Sequence, residues 1–187
     1  MRQYYRKLIF MILIVSAVLW AQDEVRMDLQ VTLFMKLLKY DRNITQRGAE
    51  GLKLGVIYNP NNKKSVKTYR DFEKEFNSLE SKSVKGMTII LIPVKGADQL
   101  QSAIKNYGIN MLYVCPGLDD QLSRIVQTCS ENKILTMTGY PPYADKGVAV
   151  GLSVENGKPR LVINTTVSKQ VGSNFSADVL RLARVIK

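Results

Sequence analysis

Histidine is absent from the 187 residues, and cysteine occurs only as Cys115 and Cys129. The first absence removes Ser-His-Asp and Cys-His catalysis together with every His-ligated metal site. The second leaves too few thiols for a disulfide scaffold or a Cys-rich zinc site. Neither GxGxxG nor a Walker lysine motif occurs, so nucleotide binding has no support. No pair of carboxylates has a spacing suited to general acid–base work. The adjacent Asp119 and Asp120 fall at an expected helix N-terminus, where carboxylates favour the macrodipole. No catalytic residue, metal or cofactor is therefore expected, and the chain reads as non-enzymatic.

Long apolar runs are also scarce. Residues 8–19 carry no charge and a single polar residue, Ser16. As a helix this run would be about 18 Å long, short of the roughly 30 Å apolar slab of a bilayer. Arg2, Arg6 and Lys7 precede it, and Gln22, Asp23 and Glu24 follow. That order is the one of a secretory signal peptide over residues 1–21, with cleavage expected after Ala21; an uncleaved single-span anchor is the alternative. No cysteine lies near the cut, so a lipid anchor is not expected. The remaining residues 22–187 are enough for one domain with a real core.

Acidic residues are the minority. The chain has 27 basic and 16 acidic residues, and three of the basic ones leave with residues 1–21, so 24 against 16 remain, a net +8. Such a charge suits acidic partners or an anionic membrane surface, but a generic solvated surface accounts for it more simply. An exported protein has little occasion to meet nucleic acid, and none is expected as a partner.

Apolar patterning supplies the elements. Residues 25–40, dense in Leu29, Leu33, Met35, Leu37 and Leu38, predict a mostly buried first helix. LKLGVIY over residues 52–58 predicts a buried strand, stopped by Asn59-Pro60-Asn61-Asn62. Val66, Tyr69, Phe72, Phe76 and Leu79 then line one helix face, with Lys63, Lys67, Arg70 and Lys74 opposite as a solvated stripe or an anion-binding one. Strands are expected at residues 87–94, 109–114 and 133–137, with helices at 97–107 and 118–131. A loop spans 138–146. Strands 148–155 and 160–163 should form a hairpin through Asn156-Gly157, and a helix over 176–186 should close the chain.

Apolar strands alternating with helices predict an α/β fold: one three-layer domain with a mainly parallel sheet, helices on both faces and a C-terminal antiparallel edge hairpin. In such sheets ligands bind beyond the carboxyl ends of the strands. The candidate ligand or partner loops there carry Asn59, Asn61, Gly117, Gly139 and Tyr140, although turns require the same residue types. Cys115 ends a strand and is the better candidate for a reactive thiol. Cys129 lies about 15 Å along the following helix, too far for the Cα separation of about 7 Å that a disulfide allows. The two thiols are then either buried and inert or available to partners.

The run YADKGVAVGL from Tyr143, the hairpin through Asn156-Gly157 to LVIN ending at Asn164, and VGSNFSADVLRLARV from Val171 resemble the YfiR/HmsC-like periplasmic family. The resemblance implies a non-enzymatic periplasmic regulator, working as a homodimer. It further implies that the regulator restrains an inner-membrane signalling protein, a diguanylate cyclase, and so controls cyclic di-GMP output and biofilm formation. Members use disulfides in redox-linked control, which two cysteines so placed put in doubt here. A second resemblance is local: LGVIYNPN from Leu54 and NMLYVCP from Asn110 look like parts of transporter substrate-binding proteins. It implies a small-molecule-binding domain instead, although those proteins enclose ligands between two lobes.

Overall fold

The computed structural model describes residues 24–187; the expected signal peptide lies outside the described residues. Helix α1 (Met27–Lys39) opens the domain. Its inward face is Gln30, Val31, Phe34, Met35, Leu37 and Leu38, whereas Leu29 is 40% exposed. Met35, Leu37 and Leu38 face inward as expected and Leu33 is partly buried, while Leu29 points outward. A short α2 (Ile44–Arg47) leads into β1 (Leu52–Tyr58). Next is α3 (Lys63–Asn77), where the Asn62 side chain accepts the Ser65 N–H and so satisfies one donor of the first turn.

A two-residue β2 (Ser83–Val84) precedes β3 (Met87–Lys95) and α4 (Leu100–Tyr107). Then come β4 (Met111–Val114), α5 (Leu122–Glu131) and β5 (Leu135–Thr138). One-turn 3-10 segments at Ala97–Gln99 and Asp119–Gln121 lead into α4 and α5. A short α6 (Pro141–Ala144) fills the expected loop. Strands β6 (Val150–Glu155) and β7 (Lys158–Asn164) pair antiparallel from Val150↔Ile163 to Glu155↔Lys158. The turn has positive φ at both Asn156 (52°) and Gly157 (72°), the conformation that the Asn-Gly pair predicts.

The C-terminus corrects one expectation. Residues 176–186 are not one helix: α7 (Thr165–Gln170) and α8 (Ala177–Leu182) are followed by β8 (Arg184–Ile186), which pairs parallel to β7. Ala183 is extended (φ −92°, ψ 156°) and ends the helix. The apolar residues at 179, 180, 182 and 185 fit a helix face, but the backbone groups of β7 offer residues 184–186 a ladder that the helix could not.

All eight strands form one sheet, in the order β2-β3-β1-β4-β5-β6-β7-β8. Strands β3, β1, β4, β5 and β6 run parallel. The hairpin lies at the C-terminal end as expected, and β8 adds one strand beyond it. Because side chains alternate across a strand, the sheet carries two cores. On one face Leu54, Val56, Met111, Tyr113 and Met137 pack with α1, α3 and α8. On the other, Ile57, Leu112 and Val114 pack with α4, α5 and Tyr143 of α6. The α/β fold with helices on both faces is thus the observed one.

One cation ties down the amino ends of the strands. Arg47 donates through Nη1 to the carbonyls of Asn110 (3.1 Å) and Lys133 (2.6 Å), and through Nη2 to the Val171 carbonyl (2.7 Å) and Ser173 Oγ (3.1 Å). Burial lowers its pKa, with Asp41 opposing the shift. Asn110 completes the junction, since its side chain donates to the carbonyls of Arg47 and Gly51 and accepts from the Lys53 N–H. The opposite, carboxyl ends are left for the candidate site.

Candidate functional site

Strand order reverses at β1: the chain moves from β1 to β3 on one side and later to β4 on the other. This is the switch point at which open α/β sheets leave a crevice. Here the crevice is stitched shut. Asn59 Nδ2 donates to the Gly117 carbonyl at 3.1 Å, and the Asn59 N–H is taken by Ser65 Oγ at 2.9 Å. Gly117 has φ +79°, and a Cβ there would run into the Asn62 side chain. Only glycine fits both demands. Exposed Asn61 contributes a turn hydrogen bond, its N–H donating to Asn59 Oδ1 at 3.0 Å. Asn59 and Gly117 are therefore brought together as a seam.

Beside the seam, on the α1 and α3 side, lies a cavity of about 180 Å³. Gly139, Tyr140 and Pro116 line it from the strand ends, and Gln30, Lys64 and Thr68 from the helices. Tyr113 rises from β4 as part of the floor. Its ring packs on Phe72 at 4.2 Å between centroids, and its hydroxyl donates to Gln30 Oε1 at 2.7 Å. Burial raises the Tyr113 pKa well above its ordinary value, with a smaller contribution from Cys115, so the hydroxyl stays protonated as a donor. Gln30 Nε2 donates to the Val25 carbonyl at 2.6 Å and so fixes the segment entering α1. Gln30 lies directly against Gly139, where any Cβ would overlap its amide. At the mouth, Glu24 pairs with Lys64 at 2.5 Å, and Lys64 Nζ stands 5.0 Å from the centroid of the Tyr140 ring.

The structure thus brings Gly139 and Tyr140 to the cavity, places Asn59 and Gly117 beside it, and leaves Asn61 outside its lining. Cys115 is fully buried at the end of β4, in the core shared with α1 and α3, and burial pushes its thiol up. Cys129 is buried in the opposite core and is pushed up to about 12 by the same cause. Both are free thiols. Sequence reasoning missed Glu24, Gln30, Lys64 and Tyr113. A polar Gln30 within a helix otherwise apolar on its inward face was the one available signal.

A larger groove of about 530 Å³ runs between α6 and β6. Three of its charged groups are paired: Arg184 with Asp145 at 3.3 Å, and Glu155 with Arg160, outside the lining, at 2.6 Å. The smaller cavity, with a buried polar floor at the strand ends, is the better site. Among the described residues no cluster of His, Cys, Asp or Glu could hold a metal, and no helix is long and apolar enough to cross a membrane.

A family model described as YfiR/HmsC-like matches residues 28–184. The chain belongs to the YfiR/HmsC-like family. No functionally curated protein matches this YfiR/HmsC-like chain in sequence. Among solved structures, a conserved domain protein from Vibrio cholerae O1 biovar El Tor is similar, with TM-score 0.60, 16% identity, and coverage of 86% of this chain and 60% of that one. An ABC domain from Streptococcus pneumoniae, solved in complex with L-Trp, has TM-score 0.59 and 13% identity, with coverage of 86% and 62%. A ligand-free, open substrate-binding protein with adhesive properties from Clostridium difficile has TM-score 0.52 and 13% identity, with coverage of 78% and 57%. The YfiR/HmsC-like chain spans about 60% of the length of these structures. At such identities the likeness is one of fold.

Proposed function

We infer that this protein is a non-enzymatic regulator of the bacterial envelope that binds and restrains a membrane signalling protein, a diguanylate cyclase. The observation that carries this reading is the family match over residues 28–184, in a family associated with regulation of such cyclases. The signal-peptide pattern of residues 1–21 supports a periplasmic location, and the family resemblance supports a homodimer. The loops carrying Asn59, Asn61, Gly117, Gly139 and Tyr140 lie at or near the carboxyl end of the sheet, where a partner or ligand would meet them. Deleting the gene should raise cyclic di-GMP, and crosslinking in the envelope should recover a membrane cyclase with the protein. Unchanged cyclic di-GMP with no membrane protein recovered would overturn the reading.

A second reading is favoured by the cavity beside Gly139 and Tyr140: a small-molecule-binding domain with the fold of a substrate-binding lobe. It predicts ligand-dependent stabilisation of the purified protein, since a ligand that binds only the folded state raises its melting temperature. The two readings are compatible if a ligand tunes the hold on the partner.

A further inference from the structure

Glu24 places its own carboxylate at the mouth of the cavity, on Lys64 Nζ. The pair is exposed, with 56% of the Lys64 and 36% of the Glu24 side chain open to solvent. Such pairs contribute about 0–1 kcal/mol, so Glu24 is a weak occupant. Turning it out leaves the backbone in place, because the next residue, Val25, is 5% exposed and is held through its carbonyl by Gln30.

Among the described residues, four charged side chains line the cavity: Glu24, Lys64, Lys67 and Asp71. Lys67 and Asp71 pair with each other at 2.5 Å. Once Glu24 swings away, Lys64 is the one uncompensated charge among the described residues of the lining, and the site selects an anion over a neutral molecule or a cation. The floor supplies the rest of the recognition. Gln30 and Tyr113 are 4% and 1% exposed. The Gln30 amide nitrogen carries two hydrogens, of which one goes to Val25, leaving the second for an acceptor in the cavity. The Tyr140 ring and Pro116 offer apolar walls to a short carbon chain.

The geometry points to a binding site for a small carboxylic acid, whose carboxylate takes the place of the Glu24 side chain on Lys64. It rests on the small-ligand reading and names the ligand chemistry. Glutarate is the direct probe, since it carries the Glu side-chain carboxylate on a chain of similar length, and glutaramide is its neutral counterpart. Calorimetric titration of the purified protein should show glutarate binding and no glutaramide binding. Glu24→Gln, which removes the internal competitor, should tighten glutarate about fivefold, the equivalent of the weak ion pair it replaces. Lys64→Met should weaken it at least about tenfold, with an unchanged circular dichroism spectrum showing that the exposed substitution leaves the fold intact.

Failure of glutarate to bind Glu24→Gln overturns the proposal. So does equal binding of glutaramide, or binding indifferent to Lys64→Met. If neutral compounds stabilise the protein through Gln30 and Tyr140 while glutarate does not, the carboxylate assignment falls and the small-ligand reading stands. If no compound of any class binds, both fall.

Discussion

Cys115 and Cys129 lie on opposite faces of the same sheet, Cys115 among the residues under α1 and α3 and Cys129 among those under α4 and α5. The sheet itself separates them, and neither thiol reaches solvent, at 0% and 1% exposure. Thiol reagents act on accessible thiolates. The native protein should therefore leave both cysteines unlabelled by an aromatic disulfide reagent, with labelling following global unfolding in denaturant. Fast labelling of Cys115 without denaturant would show that its strand end opens locally.

The same burial makes the protein sensitive to alkali. Burial raises the Cys129 pKa from an ordinary 9.0 to about 12. The unfolded chain loses this proton first, so the stability contributed by the neutral thiol is fully present below pH 9.0 and is lost as pH rises toward about 12. Urea midpoints measured on either side of pH 9.0 should fall with pH, and Cys129→Ala should flatten that fall while lowering the midpoint itself.

Gly139 gives way to Gln30 at the floor of the cavity. Gly139→Ala should cost about 1–3 kcal/mol, because the new methyl group displaces an amide that is packed and hydrogen-bonded. The double variant with Gln30→Ala should cost less than the two single changes added together, since the clash needs both partners. Thermal unfolding of the four proteins checks this.

Loss of the seam between β1 and β4 should be milder. Asn59→Ala removes the bond to the Gly117 carbonyl and should cost about 1 kcal/mol, a fall of roughly 2–4 °C in melting temperature for a domain of this size.

Arg47 is the residue whose loss should matter most at the amino ends of the strands. Arg47→Ala abandons three backbone carbonyls and a hydroxyl, and should cost roughly 3 kcal/mol or more. Arg47→Lys should recover little, since one ammonium cannot span acceptors that a planar guanidinium reaches from two nitrogens.

Much of the frame is legible in the sequence. The apolar runs that become β1, β3 and β4 are bounded by turn formers, the α3 face recurs at helical spacing, and Asn156-Gly157 announces its hairpin. The elements that escape notice are those too short to have a period, such as α2, α6, α7 and β2. The last residues are ambiguous for another reason: Val185 suits either period, and only pairing with β7 decides for a strand. The site divides in the same way. Gly139 and Tyr140 are readable because strand ends in α/β sheets are where ligands go. Gln30 and Glu24 come from a segment more than a hundred residues earlier in the chain. Their place depends on where α1 crosses the sheet, which helical spacing does not report.

The Arg47 clasp joins stretches of chain 63, 86 and 124 residues away from it. Contacts so distant in sequence form only after the intervening chain has been brought into place, because loop closure must be met first. The clasp is therefore expected to form late, and a φ-value near zero for Arg47→Ala would check it. An interaction absent from the transition state leaves the folding rate nearly untouched and slows the reverse step. Arg47→Ala should then speed unfolding far more than it slows folding, so that the clasp sets how long each folded molecule lasts.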